Sequence, residues 1–319
     1  MLMINEKMLL AKIATLYYTD NLKQSEIAKR LNVSQSFVSR SLAKCVSEGI
    51  VKINIIPPSG IFLELEQAIQ KKFNVDLVMV VDVGDEDEDR LKTAIGTAAA
   101  YYLQVTLQAD KLIGVSAWSG TIQRMVEHMS PLQVKAKGVV QLLGGVGVNG
   151  NVQANILTYE LAQKLNCPAY LLPSQSLIGN IGNIEYKEQL LDMNEVSQVV
   201  EQFSEVDVAL VGIGMLEPSE LLKNSGLYYQ KEMLHVLADK GAVGDICLHY
   251  FDQNGSPVLT EQEDPIIGMG LDLVKKCPRV IALAGGREKV NAIKAALAGH
   301  YLDVLITDRE TARLLLNDQ

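Results

Sequence analysis

The stretch from Gln24 to Leu42 constrains the chain most, because it has the pattern of two short helices joined by a tight turn. Asn32 can adopt the left-handed conformation that ends the first helix, and Ser34 is a good N-cap for the second. Two steeply crossing helices need a small side chain where they touch, and Ala28 supplies it. The residues predicted to face inward are Ile27, Ala28, Leu31, Phe37, Val38 and Leu42. The pattern predicts a helix-turn-helix, whose second helix enters the major groove of DNA.

The outer face of the second helix carries polar side chains suited to reading bases. Gln can bond adenine in a bidentate manner, Arg can bond guanine or phosphate, and Ser serves either role more weakly. We predict DNA contacts from Gln24, Ser34, Gln35, Ser36, Ser39, Arg40 and Lys44. The alternative is a three-helix packing module without a DNA partner, which the turn chemistry and the polar face argue against.

The charge distribution favours DNA contact at one end of the chain. The 319 residues have a net charge of −9, yet residues 1–56 carry eight Lys or Arg against four Asp or Glu. A basic head on an acidic body fits phosphate contact that is confined to the head.

Length and composition predict about two globular domains. No apolar run approaches the length of a membrane span, and the N-terminus lacks the pattern of a signal peptide, so we expect a cytoplasmic protein without a membrane partner. The four cysteines are far apart and form no CxxC pair, which suggests neither a disulfide framework nor a zinc site. We expect no cofactor and no metal.

Further patterns complete a head domain over residues 1–56. Glu6–Tyr18 predicts a supporting helix, and Gly49 ends the recognition helix. Val51–Ile55 alternates like a strand, which predicts the wing of a winged helix-turn-helix. The supporting helix is predicted to turn inward Leu9, Leu10, Ile13, Ala14 and Tyr17. The helix and strand breakers at 57–60 mark the domain boundary.

Residues 57–74 are predicted to be a linker with an amphipathic helix over Ile61–Phe73. This helix either covers the next domain, which we favour, or pairs with its copy in another subunit.

Residues 75–319 alternate short apolar runs with helical stretches, which predicts an α/β domain. The runs are Leu77–Val81, Leu112–Val115, Val139–Leu143, Ala169–Leu172, Val208–Val211, Val280–Ala284 and Val304–Ile306. They lack two-fold alternation, which is typical of parallel strands covered on both faces. The main helices are predicted at Arg90–Thr106, Ser119–Met129, Gln153–Leu165, Lys289–Leu297 and Asp308–Leu316. Ligands of such domains bind at the carboxyl ends of the strands.

Several of these strand ends run into loops suited to an anion or a polyol. Ser116–Thr121 and Gly285–Lys289 each open a helix, where backbone N–H groups bind phosphate. Gly144 and Gly145 form a third glycine turn, and Asp245 places a carboxylate that can accept hydrogen bonds from sugar hydroxyls. Tight packing explains any one glycine turn equally well, but together they indicate a pocket. Trp118 is either a wall of this pocket or part of the core.

Two other patterns carry no function in our interpretation. Val211–Glu217 begins like a dinucleotide fingerprint but has Glu217 at the third glycine position, so it does not predict nicotinamide binding. The acidic cluster Asp85–Asp89 precedes a helix start, where negative charge is favoured, and is interpreted as a solvated helix entrance.

The chain resembles the SorC family of sugar-responsive bacterial transcription regulators along essentially its whole length. In the head, the resemblance lies in Tyr17–Tyr18, Gln24–Ala28 and Val38–Leu42. In the body, it lies in Val211–Gly214, Gly241–Ile246 with Phe251–Asp252, Ala284–Gly286 with Lys289, and Leu305–Asp308.

The resemblance implies a large domain with the fold of sugar-phosphate isomerases and glucosamine-phosphate deaminases, a sugar or sugar-phosphate effector, and a tetramer on paired operator half-sites. The effector residues it implies, together with those of the turns above, are Ser116, Trp118, Ser119, Gly120, Thr121, Gly145, Asp245, Phe251, Gly285, Gly286 and Lys289. Among these, the serine turn and Lys289 would hold phosphate, Asp245 and Phe251 would face the sugar, and Gly145 would line the floor. Some family members have a lysine in the turn that here holds Leu142 and Leu143, so a covalent imine at that turn is not expected.

We therefore predict a DNA-binding regulator of a carbohydrate-utilisation operon. The alternative is a sugar-phosphate isomerase-like enzyme with a DNA-binding head. The sequence shows no cluster of acid, base and nucleophile, and Asp245 and His249, if four residues apart on one strand, would lie about 13 Å apart. We predict no catalytic residues.

Overall fold

The computed structural model describes residues 4–53, 58, 60–84, 87–146, 150–218 and 230–317. The chain divides into two compact units, Met1–Pro58 and Ser59–Gln319. The sequence pattern put the boundary after residue 56, and the contacts put it two residues later.

The smaller unit is built from three helices: α1 (Ile4–Ala14), α2 (Gln24–Leu31) and α3 (Gln35–Ser47). The predicted turn chemistry is confirmed, because Asn32 is left-handed with a φ of 54° and Ser34 Oγ accepts the Phe37 N–H at 3.2 Å. The core of this unit consists of Ile13, Leu16, Ile27, Ala28, Val38 and Leu42.

Two expectations for this unit were wrong in detail. Phe37 was predicted to face inward but is exposed, because α3 buries the stripe that starts at Val38. Leu9 is exposed too, whereas Tyr17 is half-buried and packs against the core beside the buried Leu16, as predicted. The helix widens there into a π-helical turn over Thr15–Thr19, and this turn changes the side-chain period after α1.

The wing predicted at Val51–Ile55 is not seen as a strand. Residues 51–53 have no strand conformation, and Asn54 and Ile55 lie outside the described residues. The described residues of the head therefore form a helix-turn-helix, and they do not include the predicted strand.

The larger unit contains a parallel sheet whose seven strands are β1 (Leu77–Val81), β2 (Leu112–Val115), β3 (Gly138–Gln141), β4 (Ala169–Tyr170), β5 (Val208–Gly212), β9 (Val280–Leu283) and β10 (Val304–Asp308). Their order in the sheet is β1-β10-β9-β5-β2-β3-β4. Each falls on a predicted apolar run, with ends that agree to within two residues. The α/β class is confirmed.

A small antiparallel sheet was not predicted. It consists of β6 (Gly214–Met215), β7 (Gly244–Ile246) and β8 (His249–Phe251). Cys247 and Leu248 form a two-residue turn between β7 and β8, both with positive φ. The assumption that Asp245 and His249 share one straight strand was therefore wrong. Ile246 pairs with His249, whose Nδ1 lies 2.5 Å from Asp264 Oδ2.

The helices of the larger unit cover its main sheet and carry its connections. Among the described residues these helices are α4 (Leu63–Phe73), α5 (Glu88–Thr106), α6 (Gly120–His128), α7 (Gly150–Lys164), α8 (Glu185–Leu191), α9 (Asn194–Glu201), α10 (Lys231–Asp239), α11 (Leu271–Lys276), α12 (Val290–Ala298) and α13 (Arg309–Leu316). In α4, Ile69 is fully buried in the core, and Glu66 Oε1 accepts the Val80 N–H at 2.9 Å. The helix predicted at Ile61–Phe73 thus covers the larger unit. In the described part of the chain, no helix is long and apolar enough to cross a membrane.

Candidate functional site

The outer face of α3 exposes the central candidates for DNA contact. Its four central candidates, Gln35, Ser36, Ser39 and Arg40, are all exposed. Gln24 and Lys44 are half-buried, and Lys44 Nζ lies 2.6 Å from Glu6 Oε1 on α1. Ser34 is exposed but already accepts the N–H that caps the helix. DNA contact by these seven residues remains a prediction.

Most of the effector candidates meet where the order in which the chain adds strands to the parallel sheet reverses. From β2 the chain adds β3 and β4 on one side, and then returns to place β5 on the other side of β2. The loops that follow β2 and β5 therefore diverge at their carboxyl ends, which is where open α/β sheets bind ligands.

A cavity of about 140 Å³ lies at this point. Its lining is polar on several sides and includes most of the predicted effector residues. It is lined by Glu88, Leu91, Lys92, Ile95, Ser116, Trp118, Ser119, Gly120, Thr121, Leu143, Gly212, Ile213, Gly214, Met215, Glu217, Asp245, Cys247, Leu248, Gly285, Glu288 and Lys289.

The lining of the cavity contains two groups suited to an anion, the N-terminus of α6 and Lys289. Ser119 caps α6 by accepting the Ile122 N–H, and the first N–H groups of a helix have no partner within it. Lys289 Nζ donates to the Ile213 carbonyl at 2.9 Å. Burial lowers the pKa of the Lys289 ammonium, although Asp245 and Glu288 act in the opposite direction. Helix N-terminus and ammonium together provide positive charge for a phosphate or carboxylate.

Asp245 contributes a buried carboxyl group to the same cavity. Its Oδ2 accepts the Leu248 N–H at 2.9 Å, across the turn of the β7–β8 hairpin. Burial raises the pKa of Asp245 to about 6, while the Leu248 N–H, Lys289 and His249 lower it. This group can accept or donate a hydrogen bond near neutral pH, as recognition of sugar hydroxyls requires.

Gly214 explains the glycine pair that resembled a dinucleotide fingerprint. A β-carbon at Gly214 would lie 1.8 Å from Asp245 Oδ1. The position must therefore be glycine so that β6 can pair with β7 beside the carboxyl group.

Replacing Gly214 with alanine is expected to displace Asp245 and lower the free energy of unfolding by about 1–3 kcal/mol, as overpacking does. Urea unfolding measures this change. Gly270→Ala is the matched control, because a β-carbon there has no neighbour within 4 Å. Equal stability of the two variants would contradict the assigned contact.

Trp118 combines both predicted roles. It is buried and lines the cavity, and its Nε1 donates to the Gly144 carbonyl at 3.0 Å. The indole thus joins the loop after β2 to the loop after β3.

Three predicted effector residues lie outside the cavity lining. Phe251 is fully buried and packs against Tyr301. The Gly145 N–H donates to the Ser174 carbonyl, and the Gly286 N–H donates to Asp308 and Thr311. These three belong to the scaffold of the site that we propose.

Lys92 and Glu88 line the cavity from α5 but were not predicted. Glu88 belongs to the cluster interpreted as a solvated helix entrance. A β-carbon at Gly96 would lie 2.7 Å from Met125 N, so α5 can approach α6 this closely only with glycine there. One turn earlier on both helices, Lys92 lies beside Gly120. A glycine in an apolar helix was the one sequence signal of this close crossing.

A helix-turn-helix unit and a separate α/β unit with a polar small-molecule cavity define the class of ligand-responsive DNA-binding regulators. Comparisons with known proteins agree with this class. Residues 60–317 match the family described as "Putative sugar-binding domain".

Relatives match nearly the whole chain. It is 30% identical to the deoxyribonucleoside regulator of Bacillus subtilis over 96% of both chains. It is 32% identical to the transcriptional regulator LsrR of Escherichia coli, over 96% of this chain and 93% of that one. The full-length sorbitol operon regulator SorC of Klebsiella pneumoniae has a similar structure, with a TM-score of 0.73, 28% identity and coverage of 97% of this chain and 98% of that one.

A second similar structure is the sugar-binding domain of the transcriptional regulator DeoR from Pseudomonas syringae pv. tomato, with a TM-score of 0.65 and 45% identity. The match covers 81% of this chain and 100% of that domain. This chain belongs to the SorC family of sugar-responsive transcriptional regulators.

Proposed function

We propose that this protein binds an operator through α3 and regulates a carbohydrate-utilisation operon in response to a sugar or sugar phosphate in the cavity. The observation that carries the proposal is that one cavity is lined by the Asp245 carboxyl group, the Lys289 ammonium and the N-terminus of α6. In the same chain, the outer face of α3 in the head is polar and exposed. The names of the relatives support carbohydrate-linked regulation. The DNA partner makes the cytoplasm the proposed working compartment.

The protein is proposed to act on DNA as a homotetramer, as the family resemblance implies. In this tetramer, paired heads would bind paired half-sites of the operator. Ligand binding would change the operator affinity only if the tetramer has one arrangement of its heads that fits the operator and one that does not, and if the ligand binds these two arrangements with different affinity.

Binding without turnover is the proposed role of the cavity. Burial raises the pKa of the Cys247 thiol to about 12, so this cysteine is a poor nucleophile. Among the described residues, no three His, Cys, Asp or Glu side chains are grouped to hold a metal ion. An isomerase-like activity would require turnover of a sugar phosphate by the purified protein.

A thermal-shift screen of the full-length protein tests the proposal. Free sugars and polyols are compared with their phosphates, because a ligand that binds only the native state raises the unfolding temperature. We expect one compound to raise it and to change the affinity for an operator selected from a random duplex library. The absence of any such compound, or catalytic turnover of it, would contradict the proposal.

A further inference from the structure

The cavity contains an ion pair, Glu88 with Lys92, that the proposed function leaves unexplained. The two residues are one turn apart on α5, and Lys92 Nζ lies 2.6 Å from Glu88 Oε1. A β-carbon at Gly120 would lie 3.7 Å from the same Nζ, so the ammonium stands at the first turn of α6. Both side chains line the cavity, as does Lys289.

The position of Lys92 is electrostatically unfavourable unless an anion accompanies it. The N-terminus of a helix carries a partial positive charge, and a cation beside it is repelled. Lys289 adds a second ammonium to the cavity, and the charge of Lys92 is one of the influences that lower the pKa of Lys289 after burial. Within the chain, Glu88 is the carboxylate that pairs with Lys92 at 2.6 Å, and the charge of Lys92 also acts on the neighbouring Asp89.

The two partners differ in their freedom to move. The Glu88 side chain is 64% exposed, whereas that of Lys92 is 33% exposed. An exposed ion pair between residues four apart in a helix is weak. Glu88 can therefore rotate into solvent while Lys92 stays at the cavity.

We propose that Lys92 gives the cavity its preference for phosphorylated over neutral effectors, and that Glu88 is an internal competitor that the phosphate of the effector displaces. The inference rests on the proposed function, because it concerns the same cavity. A neutral sugar offers Lys92 no anion and leaves the pair intact. The pair therefore controls discrimination by charge, and Asp245 contributes to the binding of either kind of sugar.

The experiment titrates inorganic phosphate into the full-length wild type, Glu88→Gln, Lys92→Gln and the double variant at constant ionic strength. Trp118 is the only tryptophan of the chain and lines the cavity, so its fluorescence reports binding. We expect Glu88→Gln to bind phosphate about two- to fivefold more tightly, since a weak competing pair is removed. Lys92→Gln should bind it about tenfold more weakly or worse. The double variant should resemble Lys92→Gln, because Glu88 has nothing left to block.

The matched controls are Lys137→Gln and Glu205→Gln, which break an exposed pair with a separation of 3.0 Å between two residues outside the cavity lining. They should leave phosphate affinity unchanged. Lys92→Arg keeps the charge and should retain binding, which separates a charge effect from damage to the fold. A second pair of probes is 2-deoxyribose and 2-deoxyribose 5-phosphate. Lys92→Gln should weaken the binding of the 5-phosphate and leave the binding of 2-deoxyribose unchanged.

The inference would be overturned by any of three results. These are no binding of phosphate by the wild type, binding by Lys92→Gln as tight as that of the wild type, and weaker binding by Glu88→Gln than by the wild type. Failure of the proposed function is a different result, in which no sugar, neutral or phosphorylated, changes operator binding. A protein that responds to a neutral sugar and ignores phosphate would retain the proposed function and exclude this role of Lys92.

Discussion

Replacing Arg40 with alanine is expected to abolish specific operator binding while sugar binding by the larger unit persists. Arg40 lies exposed on the outer face of α3, one turn after Ser36. An arginine that contacts a guanine in the major groove contributes about 1–3 kcal/mol of discrimination against other bases. In an oligomer this loss recurs in every head that contacts the operator, so the effect on affinity is multiplied.

Fluorescence anisotropy with the selected operator and a scrambled duplex measures the effect. Lys12→Ala is the matched control, because it removes the same charge from the head at an exposed position on α1. Arg40→Ala should lose the difference between the two duplexes, whereas Lys12→Ala should keep it. Retained discrimination in Arg40→Ala would mean that another surface reads the DNA.

The parts of the fold that were predicted are those whose residues act locally or are buried on both faces. The seven parallel strands fall on short, mostly apolar runs without two-fold alternation of polar residues, as expected where helices cover both sides of a sheet. The turn between α2 and α3 was predictable as well, because Asn32 and Ser34 determine it through their own backbone and side-chain preferences.

The β7–β8 hairpin was not predictable because its turn lacks the residues that usually form one. Two-residue hairpin turns favour Asn and Gly, which tolerate positive φ, yet this turn holds Cys247 and Leu248 at 53° and 63°. Both residues are buried, and the carboxylate of Asp245 accepts the Leu248 N–H. Tertiary contacts therefore hold a turn that local preference disfavours.

Most of the predicted residues that line the cavity lie in turns after parallel strands, whereas Asp245 lies on β7 of the small sheet. Ser116 and Ser119 follow β2 and Gly285 follows β9, so their convergence follows from a parallel sheet. Lys92 enters from the second turn of α5, and its place in the cavity depends on how closely α5 crosses α6 at Gly96. Such a crossing is a property of the packed structure, which a single sequence does not specify.

Replacing Asp245 with asparagine is expected to make the protein more stable at neutral pH. Asparagine keeps the shape of the side chain and an oxygen that can accept the Leu248 N–H. In the wild type, burial raises the pKa of Asp245 to about 6, above the value of about 3.9 in unfolded chains. Between these two values the folded protein binds a proton that the unfolded chain does not, so the free energy of unfolding falls as pH rises through this window.

The ionised carboxylate therefore costs the wild type about 3 kcal/mol of stability at pH 7. The variant avoids this cost, so its free energy of unfolding should exceed that of the wild type most above pH 6. Below about pH 4 the two should differ little. Urea unfolding across this range compares the wild type, Asp245→Asn and the exposed control Asp239→Asn. Parallel stability curves for the wild type and Asp245→Asn would show that Asp245 does not titrate in this window.

The same substitution should leave the protein unresponsive to its effector. A carboxylate that accepts hydrogen bonds from sugar hydroxyls contributes about 1.5–3 kcal/mol for a charged bond, so effector affinity should fall about tenfold or more. Operator binding, which depends on α3, should not change. A variant that is more stable, binds its operator and ignores the sugar would show that a buried charge is retained for recognition at the expense of stability. If Asp245→Asn responded to the sugar as the wild type does, Asp245 would instead be a structural acceptor that holds the hairpin turn.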